Sequence, residues 1–145
     1  MTPSTDVIAA ARAAQAKWKI PASLSIAQYG LESGWGAHMP PGSNNPFGIK
    51  ALPGQPCSAA LTREVIGGRG EVIHAAFRAF ASLGEAFDAH AALLATGGPY
   101  AHARTLLPDV RRFAQALTGV YATDPNYGHA LIAIIDGDGL TRFDT

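Results

Sequence analysis

The sequence is poor in the residues that would tie it to several large classes of protein. It has one cysteine, Cys57, among 145 residues. No intramolecular disulfide and no cysteine cluster for zinc can form, and the lone thiol reads as a small hydrophobe. There is no excess of charge: eleven basic residues cancel eleven acidic ones. A nucleic-acid partner and dedicated binding to anionic membrane surfaces both lose their electrostatic footprint. No apolar run approaches the roughly 20 residues that a membrane helix needs, so membrane insertion is not expected. The N-terminal stretch MTPSTDVIAAARAAQAKWK lacks a basic start followed by an apolar core, so no secretory signal peptide is read there. The expectation is a protein made in the cytoplasm, which another system must carry to any target outside it. His38, His74, His90, His102 and His129 form no compact ligand set, so neither metal nor cofactor is expected. Ser33 lacks the G-x-S-x-G frame of a nucleophile elbow, and Gly67-Gly68-Arg69-Gly70 lacks the lysine-serine pair of a phosphate loop.

What is present is a folded domain. Apolar residues make up 48% of the chain and charged residues 15%, too apolar and too weakly charged for disorder. Residues 1–145 read as one domain, a length that buries roughly 68–70% of its unfolded surface. Periodic apolar residues predict helices over 5–18, capped by Thr5 or Asp6, and over 22–33, ended by Gly34 and Gly36. Five prolines and three glycines in residues 37–56 make a long loop, a feature usually tied to function. Residues 60–66 and 71–80 favour strand and flank a Gly-rich turn, which predicts a β-hairpin. Ser82 and Glu85 form a capping box for a helix with Phe87, His90, Ala91 and Leu94 on its inner side. Shorter helices follow over 100–106 and 109–117. A last one is capped by Asp124 with Pro125 at its first position. The fold class predicted is α+β: a large helical part, one hairpin lobe and a groove between them.

Glu32 is the candidate for chemistry on physical grounds. It ends a helix whose neighbours Leu31, Trp35 and Phe47 are apolar or aromatic, a setting that disfavours the charged form of a carboxyl and suits a general acid. The alternative is a surface glutamate near a helix C-terminus, where the helix dipole disfavours it.

The segment from Ser25 to Gly36, with Gln28, Leu31, Glu32, Ser33, Gly34 and Trp35, is followed by Asn44-Asn45-Pro46-Phe47-Gly48-Ile49-Lys50. A hairpin then leads to Phe77-Arg78 and Phe80, and Tyr121-Ala122-Thr123-Asp124-Pro125-Asn126-Tyr127 completes the series. These three blocks, in this order, closely resemble the signature of glycoside hydrolase family 73, with Pro46 where leucine is usual. The resemblance implies a lysozyme-like fold and hydrolysis of the β-1,4 bond after N-acetylglucosamine in peptidoglycan glycan strands; a monomer is expected. A phage endolysin is one setting that fits. Glu32 takes the place of the family's general acid. Glu64, in the hairpin, takes the place of its second carboxylate, with Glu71 as the alternative and assistance by the substrate's N-acetyl group as a third route. Tyr121 would orient water or the N-acetyl group, or else be a core tyrosine. Trp35, Asn45, Phe47 and Tyr127 are candidates for substrate binding. For each a structural role stands beside that one: core packing for Trp35, Phe47 and Tyr127, and holding the loop for Asn45. The rival readings are a lytic transglycosylase or muramidase on the same fold, and a non-catalytic glycan-binding or assembly module.

Overall fold

The computed structural model describes residues 2–145, with the side chains of all of them except residues 63–66. In chain order the elements are α1 (Thr5–Trp18), α2 (Ala22–Ser33), β1 (Cys57–Ile66), β2 (Arg69–Arg78), α3 (Leu83–Thr96), α4 (Ala101–Arg104), α5 (Val110–Ala116) and α6 (Tyr127–Gly137). Short 3-10 turns cover Gly98–Tyr100 and Leu140–Phe143. The α+β class, mainly helical with one hairpin, is the one predicted.

The helical body is built around α2. Every residue from Ile20 to Gly30 is buried, so this helix has no solvent face over its first two turns and must be surrounded. It packs against α1, α6 and the C-terminal 3-10 turn. Leu24, Ile26, Phe87, Leu94, Phe113, Leu117, Leu131 and Ile135 are almost completely buried around it, each worth about 1.5–3 kcal/mol of burial. Gly128 lets α6 approach α5: a Cβ there would lie within 2.8 Å of Gln115 and Thr118 atoms.

Helix ends show where local sequence decides and where tertiary contacts do. Ser4, not Thr5 or Asp6, caps α1 by accepting from Val7 N. Ser82 caps α3 as predicted, and Glu85 reaches back one residue further than expected, to Ala81 N at 2.8 Å. Asp124 does not cap α6. Its carboxylate accepts from Asn126 N at 2.9 Å and closes the turn before the helix, because Asn126 occupies the cap position. The N-terminus of α2 follows Pro21 and has no local side-chain cap. Its caps come from other elements: Gln15 Oε1 of α1 accepts from Ala22 N at 2.9 Å, and Asp144, at the far end of the chain, accepts from Ser23 N at 2.7 Å and from Ser23 Oγ at 2.6 Å.

The hairpin is longer than the sequence suggests. β1 and β2 pair antiparallel from Cys57–Arg78 to Ile66–Arg69 around a two-residue turn. Gly67 and Gly68 take φ of 59° and 81°, the left-handed pair that such a turn requires. At the base of β2, Arg78 N donates to Ile49 O and Ala51 N to Ala76 O. The long loop is thereby stitched to the hairpin. Ala75 and Phe77 are buried while His74 and Ala76 are exposed, the alternation of a strand with one covered face.

Candidate active site

A cleft of about 490 Å³ separates the helical body from the hairpin. Its walls are Glu32 from α2, Phe47 to Lys50 from the loop, Thr62 and Phe77 from the hairpin, Leu93 from α3, and Tyr121 and Ala122. Among the described residues it presents one carboxylate, that of Glu32.

The end of α2 is shaped residue by residue. Ser33 Oγ donates to Tyr29 O at 2.6 Å and accepts from Gly36 N at 2.9 Å, tying the last turn to the chain that leaves it. Gly34, at φ 58°, reverses the chain. Trp35 follows, also left-handed at φ 59°, a costly conformation for a large side chain that packing must hold. Its indole lies on Gly30, where a Cβ would come within 2.6 Å of the ring, and its edge meets Tyr29. Leu31 and Glu32 are left exposed at the rim.

Glu32 is anchored from behind. Tyr127 Oη donates to its Oε1 at 2.7 Å, and Gln28 Nε2 donates to Tyr127 Oη at 3.0 Å. Gln28 is fully buried and its Oε1 has no hydrogen-bond partner, a deficit of about 1–3 kcal/mol. Tyr121 stacks on Tyr127 with ring centres 5.7 Å apart. Burial first, and the nearby Glu32 charge after it, push the Tyr121 hydroxyl well above its ordinary value. For Tyr127 burial also dominates and the Glu32 charge adds to it, while the Gln28 hydrogen bond opposes. Both tyrosines therefore stand as neutral hydrogen-bond donors beside the carboxylate.

Behind the wall lies His90, completely buried on α3. It stacks on Phe47 at 4.0 Å and meets Tyr121 edge-on at 5.9 Å. Neither ring nitrogen has a hydrogen-bond partner. Burial pulls its pKa down to about 3, so it is a neutral part of the aromatic backing.

The structure thus brings Glu32, Phe47 and Tyr121 together on the cleft wall, with Tyr127 buried directly behind Glu32. Asn45 takes the second of the two roles that the sequence leaves open. Its side chain donates to Ile49 O and Arg78 O and accepts from Phe47 N and Ile49 N. That uses the full hydrogen-bonding capacity of an amide, and Asn45 holds the loop against the hairpin. Trp35 packs on Gly30 and is not among the cleft-lining residues, because Gly34 turns the chain back over the helix. Its proximity to Glu32 in sequence does not become shared exposure to the cleft. The Glu64 side chain lies outside the described residues; its backbone pairs with that of Glu71, and Glu71 is exposed. Sequence reasoning missed Lys50, Thr62 and Leu93 on the walls and Gln28 behind them. Two of these left a signal: Lys50 closes the Asn44–Lys50 block, and Gln28 stands four residues before Glu32 on the same side of the helix.

Comparison with known proteins identifies the family. Residues 8–140 match the model of the glucosaminidase family, described as mannosyl-glycoprotein endo-beta-N-acetylglucosaminidase. The chain is 36% identical over 131 residues to a probable N-acetylmuramidase of Lactococcus lactis subsp. lactis, covering 84% of this chain and 30% of that protein. It is 31% identical over 135 residues to the exo-glucosaminidase LytG of Bacillus subtilis, covering 88% of this chain and 48% of that one. The chain therefore spans about a third to a half of these curated relatives. Among solved structures, a mutant peptidoglycan hydrolase from Sphingomonas sp. A1 superposes with a TM-score of 0.80 at 33% identity, over 95% of this chain and 94% of that one.

Proposed function

Because the chain belongs to the glucosaminidase family, glycoside hydrolase family 73, we propose that it hydrolyses peptidoglycan, cutting the β-1,4 bond after N-acetylglucosamine within the glycan strand. The observation that carries this reading is the placement of Glu32. It is the one described carboxylate in a cleft between two lobes, and a buried neutral tyrosine is hydrogen-bonded to one of its oxygens.

Protonated Glu32 gives its proton to the glycosidic oxygen as the bond to the anomeric carbon breaks. Water completes the reaction at that carbon. Glu64 takes its proton as general base, the role that the family resemblance gives it. Glu71 and the N-acetyl group of the substrate are the alternatives for this step. Tyr121, neutral and on the wall, donates a hydrogen bond to the N-acetyl carbonyl or to the water. Phe47 and Leu93 supply apolar surface for the pyranose rings.

The test is clearance of a turbid suspension of purified cell walls by the wild type, Glu32→Gln, Glu64→Gln and Glu71→Gln. The proposal expects clearance by the wild type and about a thousandfold slower clearance or less by Glu32→Gln. Glu64→Gln is expected to fall well below Glu71→Gln. Wild-type rates in Glu32→Gln would remove the acid. The Lactococcus relative, named for muramidase activity, favours a second reading in which the other glycosidic bond is cut, and the chemical nature of the new ends separates the two.

A further inference from the structure

The hydrogen-bond chain behind Glu32 has a direction. A tyrosine hydroxyl carries one hydrogen, and an amide nitrogen donates but does not accept. Gln28 Nε2 faces Tyr127 Oη, so that hydroxyl cannot donate inward, and its hydrogen goes to Glu32 Oε1. Oε1 is then an acceptor both when the carboxyl is ionised and when it is protonated. The acidic proton is left to Oε2, which takes no hydrogen bond from the described residues.

Gln28 is an unexpected residue for its place. Its side chain is fully buried in the most enclosed helix of the fold. An apolar side chain of the same length would fill the space without burying an unpartnered carbonyl. Only its Nε2 makes a hydrogen bond, and that bond goes to the tyrosine touching Glu32.

We propose that Gln28 is a positioning residue for the glycosidase reaction. By holding Tyr127 as a donor to Oε1, it keeps the transferable proton of Glu32 on Oε2. The proposal rests on the reading of Glu32 as the general acid. Without the amide, the Tyr127 hydroxyl is free to turn and accept from Glu32. The proton then sits on the oxygen that faces the buried tyrosine and is withdrawn from the scissile bond.

The test uses Gln28→Met, which removes the amide and keeps the length. With soluble peptidoglycan fragments as substrate, kcat falls about tenfold, while KM changes by less than about twofold. The melting temperature does not fall, because the unpartnered carbonyl is gone. In a Tyr127→Phe background, Gln28→Met costs less than about a further twofold, since its effect passes through the missing hydroxyl. Losses that multiply in the double variant would overturn the proposal. So would wild-type kcat in Gln28→Met, or a fall in melting temperature that tracks the loss of kcat. Glu32→Gln, assayed alongside, separates the two claims. If it keeps wild-type activity, the acid assignment fails and this proposal with it. If it is inactive while Gln28→Met keeps full kcat, only the role of Gln28 fails.

Discussion

Asp144→Ala removes the group that caps the central helix from the end of the chain. Two interactions are lost, the hydrogen bonds from Ser23 N and Ser23 Oγ at 2.7 and 2.6 Å. The first is an N-cap, worth about 1 kcal/mol. The second matters more, because Ser23 is fully buried and its hydroxyl is stranded at about 1–3 kcal/mol. No neighbour takes over, since Pro21 offers no side-chain oxygen and Gln15 Oε1 is already engaged by Ala22 N. The expected loss is about 2–4 kcal/mol. A domain of this length unfolds with an entropy of about 0.3 kcal/mol/K, so the melting temperature falls by about 7–13 °C. Scanning calorimetry measures this directly. Asp144→Asn, which keeps one acceptor, should fall in between. At 25 °C all three proteins should have the same kcat, because the cap lies at the opposite end of α2 from Glu32. A melting temperature within about 2 °C of wild type for Asp144→Ala would refute the capping argument.

Three further outcomes are expected. Gly30→Ala drives a Cβ into the Trp35 indole at 2.6 Å. It destabilises by about 1–3 kcal/mol despite the better helix propensity of alanine, and a red-shifted tryptophan emission reports the displaced ring; unchanged emission and stability would show that the indole does not rest there. Asn45→Ala removes four hydrogen bonds to the backbone, of whose partners Ile49 O keeps a second, Arg78 N; it costs about 2–4 kcal/mol and lowers kcat because Phe47 and Ile49 line the cleft; a change in KM alone would assign Asn45 to substrate instead. His90→Leu flattens the acid limb of stability. Burial holds the native histidine neutral down to about 3, against an ordinary 6.5, so between these values the unfolded chain binds a proton that the native state does not. Stability from this site is lost as pH falls from 6.5 toward 3. Equal acid-side losses in urea titrations of the variant and wild type would contradict that assignment.

Much of this architecture is legible in the sequence because the signals are local. The boundaries of α1 and α2 follow from apolar period and flanking proline and glycine, and the hairpin from β-favouring residues around Gly67 and Gly68. Glu32 stands out because a carboxylate at a helix end among aromatics is chemically unusual, and the family resemblance strengthens it. What the sequence conceals depends on contacts between distant residues. The Asp144 cap joins positions 121 residues apart, and nothing near Ser23 announces it. Trp35 carries two readings in the sequence, substrate contact and core packing, and only the structure shows Gly34 folding the indole back onto Gly30. Asn45 looks equally suited to a sugar amide until its four partners are seen. Gln28 and His90 pass as ordinary members of buried helix faces, and only the structure shows what their polar atoms meet.

The central claim, cleavage after N-acetylglucosamine with Glu32 as the acid, is tested most directly by the ends that the protein creates. Purified peptidoglycan is digested with wild type and with Glu32→Gln, reduced with borohydride and analysed by mass spectrometry. The account predicts reduced N-acetylglucosamine ends from the wild type and none from the variant. Reduced muramic ends would make the protein a muramidase, and anhydro-muramic ends a lytic transglycosylase. No new ends, with binding to the glycan intact, would contradict an enzymatic role on this substrate altogether.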